Sequence, residues 1–392
     1  MNRKILKFGV FCLMGAVLCG SQPSHASVEQ YNVDNIKELE ALELLSDEKF
    51  QEETEKFEKE PYSDPDLHFT VNIPKQWADN ISKGKVESEE RSISNKVLTE
   101  LARHTSPPHP EYARSFFTID AMALNYEIGI KNWFVNYAMI NRLSLERLTI
   151  KNKKELEALY VEVRKETTFV VRTKAMINGD KIIIARYYVS SWLHKDEKTM
   201  QAQVIDSFKL VNLRDMPIEE LDTHGFLNQS YFDYPPSWTL KAKPVKSIKH
   251  MEASLQKNIV EGKVDGKIDI DVFNKLSTPS RSTVIKKFRD EFSIPNYEIG
   301  KLIEKPEFQK HKDMNFGMMQ AYQLLPERSN MLNYELWVGV IESEDYIYLV
   351  TLVTAARDEE FYIWARNIEG YKQIVASIRR HNKESNVYDF LK

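Results

Sequence analysis

Two stretches of the chain repeat the same order of apolar and polar positions. Phe69-Thr70-Val71-Asn72-Ile73-Pro74 alternates with period two, stops at proline and reaches Trp77 three residues later. Tyr231-Phe232-Asp233-Tyr234-Pro235 stops the same way before Trp238. Such alternation predicts a half-buried strand, and proline, lacking an N–H to donate, ends it. Further on, residues 169–177 and 181–189 are β-branched and aromatic runs joined across Asn178-Gly179, which predicts a hairpin. Residues 334–341 and 346–353, joined by Glu342-Ser343-Glu344-Asp345, predict a second one. Each hairpin gives way to helical periodicity, carried by Met200, Val204 and Phe208 in one case and Ile374 and Ile378 in the other.

Trp77 and Trp238 are 161 residues apart, Asp180 and Asp345 are 165 apart, and Ser207 and Ser377 are 170 apart. So steady an offset predicts duplication. The pentapeptide Asn-Tyr-Glu-Ile-Gly, at 125–129 and again at 296–300, is a poor marker of it. Aligning that peptide sets the helix-like 282–292 against the strand-like 115–124. Pairing Phe117-Thr118-Ile119-Asp120 with Ile268-Asp269-Ile270-Asp271 keeps strand against strand. Each half then reads strand, proline break, strand, helix, hairpin, helix. The expected fold class is α+β, with two tandem sandwich domains, each an antiparallel sheet covered by helices. The expected boundaries are a signal peptide at 1–26, an acidic helical leader at 27–66, a first domain at 67–212, a linker at 213–228, a second domain at 229–384 and a tail at 385–392.

The strand ends Ile73-Pro74-x-x-Trp77 and Tyr234-Pro235-x-x-Trp238, the late hairpins, and the closing Ser207-Phe208 and Ser377-Ile378 resemble the PsbP/DcrB-type α/β/α sandwich. The resemblance covers most of each half and leaves the signal and leader outside. It implies a non-catalytic exported or lumenal accessory protein. It brings no shared catalytic set to numbered positions.

The amino terminus supplies an address. Arg3, Lys4 and Lys7 precede an apolar run from Phe8 to Cys19 that is too short to span a bilayer, and Ser24-His25-Ala26 puts small residues where signal peptidase cuts. Cleavage after Ala26 leaves a mature chain without a transmembrane segment, periplasmic or extracellular. The alternative is a lipoprotein at Cys19, whose box is spoiled by Leu18. Both cysteines, Cys12 and Cys19, fall within the signal, so the mature chain has neither a disulfide nor a thiolate site.

Charge is uneven although the net value is only −4. Between Ser27 and Asp66 fourteen acids face four lysines, and Leu39, Leu42, Leu45 and Phe50 sit among them at helical spacing. A solvated amphipathic helix is expected there, leading to a loop at 60–65. No basic stripe with interleaved aromatics occurs, which excludes nucleic acid as the partner.

Candidate chemistry is sparse. The chain carries no Gly-x-Ser-x-Gly elbow, no phosphate-binding loop, no dinucleotide fingerprint and no His-Glu-x-x-His pair, so no catalytic, cofactor or metal residues are assigned. His104 and His109 flank Pro107-Pro108 and read as incidental surface histidines. Asp269 and Asp271 share one strand face, where they could hold a hard cation or act as paired carboxylates, but an ordinary solvated face is the plainer reading. Arg186 interrupts an apolar run and is expected under a helix or at a sheet edge, paired with a carboxylate. Trp77 and Trp238 are expected to plug their sheets, and Trp133, Trp192, Trp337 and Trp364 to be packed. Trp77, Trp238 and Arg186 are the only candidates for a binding surface.

Two functions from different classes fit. The first is a non-catalytic exported binding, assembly or accessory protein of the cell envelope, whose partner is another envelope or secreted protein and which needs no cofactor. The second is an exported hydrolase with its site at the junction of the two domains, formed by residues that meet only in three dimensions.

Overall fold

The computed structural model describes residues 36–80, 93, 95–242, 247–260, 263–278, 280–308, 314–328 and 331–380. The expected signal, Cys19 and the tail at 385–392 lie outside the described residues.

In chain order the first half contains α1 (Asp47–Glu53), β1 (Thr54–Lys59), β2 (Phe69–Pro74), β3 (Ala78–Asp79), β4 (Thr99–Thr105), β5 (Phe116–Ala123), α2 (Ile130–Ile140), β6 (Ser144–Asn152), β7 (Glu155–Arg164), β8 (Thr167–Asn178), β9 (Lys181–Ser190), α3 (His194–Ser207) and β10 (Lys209–Leu210). The second half contains β11 (Asp222–Phe226), β12 (Ser230–Tyr234), β13 (Thr239–Ala242), β14 (His250–Val260), β15 (Lys263–Asn274), α4 (Arg281–Glu291), β16 (Tyr297–Phe308), β17 (Phe316–Pro326), β18 (Tyr334–Glu342), β19 (Tyr346–Ala355), α5 (Phe361–Ser377) and β20 (Arg379–Arg380).

The two halves repeat one topology. A seven-stranded sheet runs β3-β4-β5-β9-β8-β7-β6 in the first and β13-β14-β15-β19-β18-β17-β16 in the second. Each is accompanied by a three-stranded sheet, β1-β2-β10 or β11-β12-β20, and the strands within every sheet pair antiparallel. Register repeats as well. Phe117 pairs with Tyr187 as Ile268 pairs with Leu352, and Lys209 pairs with Thr70 as Arg379 pairs with Tyr231. The repeated pentapeptide stands at non-equivalent places, before α2 in one half and at the start of β16 in the other.

Strand periodicity sends alternate side chains to opposite faces. On β9, Ile182, Ile184 and Tyr188 join Trp133 and Phe134 of α2, whereas Ile183, Ala185, Tyr187 and Val189 join Val204 and Ile205 of α3. On β19, Ile347 and Leu349 join Val284 of α4, whereas Tyr348, Val350 and Leu352 join Trp364, Ile368 and Tyr371 of α5. The α2 side of the first sheet and the α5 side of the second form one continuous apolar cluster, with α2 against α5. Each large side chain buried there contributes about 1.5–3 kcal/mol, so this shared core holds the halves together without a disulfide.

Several expectations change on contact with the fold. The leader helix shrinks to α1, and residues 54–59 form β1, paired along its whole length with β2. The reason is backbone accounting: β2 is the middle strand of its sheet, and its N–H and C=O groups need a partner on each side. The expected linker likewise supplies β11 to β12 for the same reason. The hairpin between β8 and β9 turns on Gly179 and Asp180, because Asn178 pairs with Lys181. Gly179 takes φ 58°, a left-handed value that glycine adopts without strain. Asn178 is buried, donating to the carbonyls of Asp66 and Asn212 at 2.8 Å each, which ties the turn to both ends of the first half. Strands β4, β6, β7, β14, β16 and β17 extend both sheets beyond the elements expected from sequence.

Candidate functional site

Strand β14 alternates His250, Glu252 and Ser254 on one face with Met251, Ala253 and Leu255 on the other, and the apolar set goes to the shared core. On β15, Ile268, Ile270 and Val272 also go to that core, while Lys267, Asp269, Asp271 and Phe273 turn the other way. Helix α4 crosses this second face. It starts at Ser280, whose Oγ accepts from the Thr283 N–H at 3.3 Å, and it presents Val284, Lys287, Phe288 and Glu291 at helical spacing.

Between α4 and the sheet lies a cleft of about 320 Å³, small for a ligand site. His250 Nε2 stands 2.8 Å from Asp271 Oδ1, and His250 Nδ1 is 3.7 Å from Glu252 Oε1. The Phe273 ring stacks on the imidazole at 4.6 Å and 4°, which fixes its plane. Glu252 and Asp271 are direct cross-strand partners. Lys267 pairs with Asp269 at 2.6 Å, and Lys287 lies 3.9 Å from Glu291. Four carboxylates (Glu252, Asp269, Asp271 and Glu291) therefore line the cleft against two lysines.

The same face of the first half is closed. Arg186 of β9 donates to Asp120 of β5 at 2.6 Å and to the Tyr137 hydroxyl of α2 at 2.7 Å. Register assigns the counterparts. Arg186 pairs with Thr118 where Thr351 pairs with Asp269, and Asp120 corresponds to Asp271. Taking α2 and α4 from their first residues, Tyr137 corresponds to Phe288. Arginine has become threonine and tyrosine phenylalanine, so the second half lacks the groups that fill this space in the first. Burial pushes the neighbouring Tyr188 hydroxyl up to about 12, which keeps it neutral beside Arg186.

The junction of the halves is packed. Lys257 of β14 is 5% exposed, its Nζ 4.9 Å from the Trp238 ring and 5.2 Å from that of Tyr126. Arg366 of α5 lies 4.0 Å from the Tyr126 ring on the first-half loop. Glu127 and Glu219 each accept from the other's backbone N–H, at 2.9 and 3.2 Å respectively. Burial, with Arg366 nearby, lowers the Lys257 ammonium to about 8, and burial raises the Glu127 carboxyl.

The sequence candidates fall in three different places. Arg186 lies under α2 with a carboxylate partner. Trp77 is half-buried with its ring 5.0 Å from that of Tyr187, and Trp238 is 2% exposed beneath Gly370 and Gly266. These three residues are not brought together. Trp133, Trp337 and Trp364 are buried, but Trp192 is 77% exposed because it sits in the turn before α3, outside any packed face. His104 is buried rather than on the surface, since β1 lays Phe57 edge-on against its ring at 4.6 Å. Burial lowers its imidazole below the usual range. His250 and Glu252 were missed from sequence; their signal was a two-residue alternation with Met251, Ala253 and Leu255 that marks a strand.

Among the described residues no helix is long and apolar enough to cross a membrane. No protein-family model matches the chain, and no curated protein sequence matches it. Among solved structures, the chain is similar to cyanobacterial PsbP (CyanoP) from Synechocystis sp. PCC 6803 at 13% identity and TM-score 0.29, over 44% of this chain and 98% of that one. It is similar to the immunity protein TplEi of the T6SS from Pseudomonas aeruginosa at 8% identity and TM-score 0.20, over 80% and 94% of the two chains. It is also similar to a chain of the Tle4-Tli4 complex at 10% identity and TM-score 0.22, over 80% and 96%.

Proposed function

We propose that this chain is an exported, non-catalytic binding or accessory protein of the cell envelope, made of two PsbP/DcrB-type α/β/α sandwich units, with its binding face in the cleft under α4. In this reading the signal is removed after Ala26, the first unit and the packed junction are framework, and the partner is another envelope or secreted protein that inserts a side chain into the cleft. The observation that carries the proposal is the contrast between the closed Arg186–Asp120–Tyr137 face and its open counterpart at Thr351, Asp271 and Phe288. The imidazole is held in the cleft by Asp271 at Nε2 and by the Phe273 ring. The packed junction argues against the alternative of a hydrolase with its site there.

A photoreactive residue placed at Lys287, on the cleft, and separately at Asn136, the same place on α2, tests this in native envelopes. A discrete adduct with one protein from Lys287 and none from Asn136 is expected. Adducts from neither position, or equally from both, would overturn the proposal.

A further inference from the structure

The geometry points to a divalent first-row transition cation, with Zn²⁺ as the type, held in this cleft by His250, Glu252 and Asp271. The inference rests on the reading of the cleft as the binding face and names what that face holds. One ligand atom from each residue lies within 4.8 Å of the other two. The two carboxylates are direct cross-strand partners, with His250 beside both. In the first half Arg186 supplies a fixed positive charge to Asp120. At the corresponding position Thr351 carries no charge, and the cleft is lined by four carboxylates, two lysines and His250.

An independent observation lies one step along β14. Ser254, on the face of His250 and Glu252, is 7% exposed and its Oγ has no hydrogen-bond partner. A buried hydroxyl of this kind marks a place where a bound group or its water belongs. One imidazole with two carboxylates is a mixed nitrogen and oxygen set, which suits zinc, cobalt or manganese better than calcium or magnesium. Three protein ligands leave a fourth position open to the cleft for a water or a donor from the partner.

Isothermal titration of the chelator-treated protein with ZnCl₂, CoCl₂ and CaCl₂ is the test, with the visible absorption of bound Co²⁺ as a second readout. One equivalent of Zn²⁺ should bind, Co²⁺ should give the bands of a low-coordinate site, and Ca²⁺ should bind far more weakly. His250→Gln and Asp271→Asn should each weaken Zn²⁺ by at least about 10- to 100-fold, whereas His224→Gln, remote from the cleft, should leave it unchanged. No binding, binding untouched by the two cleft variants, or Ca²⁺ binding as tight as Zn²⁺ would overturn the inference. A Lys287 adduct that persists in a protein that binds no cation would sink the cation alone. Cation binding without the adduct would sink the partner face alone.

Discussion

Arg186 and Thr351 occupy the same register position in two sheets of identical strand order, one paired with Thr118 and the other with Asp269. The exchange at that position, together with Phe288 in place of Tyr137, separates a sealed helix–sheet face from an open one. In the sealed face the guanidinium and Asp120 are both buried and meet at 2.6 Å. Removing one partner strands the other charge in a dry site. Arg186→Met should therefore cost about 3–5 kcal/mol, whereas Thr351→Val, in the open face, should cost less than about 1 kcal/mol. Urea denaturation followed by intrinsic fluorescence measures both, and similar costs would show that the two faces are equally closed.

The closing helices are tied down by one repeated hydrogen bond. Ser207 Oγ accepts from the Asn72 N–H at 3.0 Å, and Ser377 Oγ accepts from the Asp233 N–H at 2.8 Å. Each bond joins the end of α3 or α5 to the middle strand of its small sheet. Ser207→Ala and Ser377→Ala should each lower stability by about 1 kcal/mol, and the effects should add, because the sites share no partner. A null effect at either serine would mean that water replaces the hydroxyl.

Much of the fold was legible because the signals were local. Hairpins β8–β9 and β18–β19, both closing helices and the equivalence of Phe117 with Ile268 follow from alternation, turn residues and a steady offset. Strands β6, β7 and β16 were not legible, because their charged residues, such as Glu146, Glu155, Glu157, Glu298 and Glu304, break the apolar alternation at sheet margins, and β17 was not because Gly317, Gln320 and Gln323 interrupt its apolar positions without a period of two. The cleft was half legible. Asp269 and Asp271 announce a shared face, but His250 enters it only through the pairing of β14 with β15, a relation that no local pattern carries. Nor does sequence alone reveal that Thr351 stands where Arg186 stands, since that equivalence needs both sheets in register.

The acidic segment belongs in part to the first half. Phe50 is buried in the α3-side core, and β1 covers one edge of β2. Deleting residues 36–60 should lower the melting temperature of the first half by several degrees and expose an edge strand prone to association. Differential scanning calorimetry with light scattering checks this. An unchanged transition would mean that β1 adds no stability.

Lys257 gives the junction a pH dependence of definite sign. Burial holds its ammonium at about 8, against 10.5 for an ordinary lysine, with Arg366 opposing the charge and Glu219, Asp265 and Glu127 favouring it. Below pH 8 both states carry the proton and the cost of burying it is felt in full. Between about 8 and 10.5 the unfolded chain keeps the proton while the folded chain releases it, so stability rises with pH by up to about 3 kcal/mol. Lys257→Met should be more stable than the parent near neutrality, and the gap should close across that window. Chemical denaturation of both proteins from pH 7 to 10 measures it, and parallel curves would refute a depressed lysine.

The contrast between the two faces is tested most directly by thiol labelling at equivalent positions, in a chain whose Cys12 and Cys19 are absent or replaced. Thr118 is 2% exposed in the sealed face, whereas the Asp269 side chain is 38% exposed in the cleft. Asp269→Cys should react with a maleimide at least about tenfold faster than Thr118→Cys, which can react only through local opening. Adding Thr351→Arg to Asp269→Cys should slow the reaction by restoring the arginine that closes the first half. Equal rates at the two positions, or a rate indifferent to Thr351→Arg, would contradict the account.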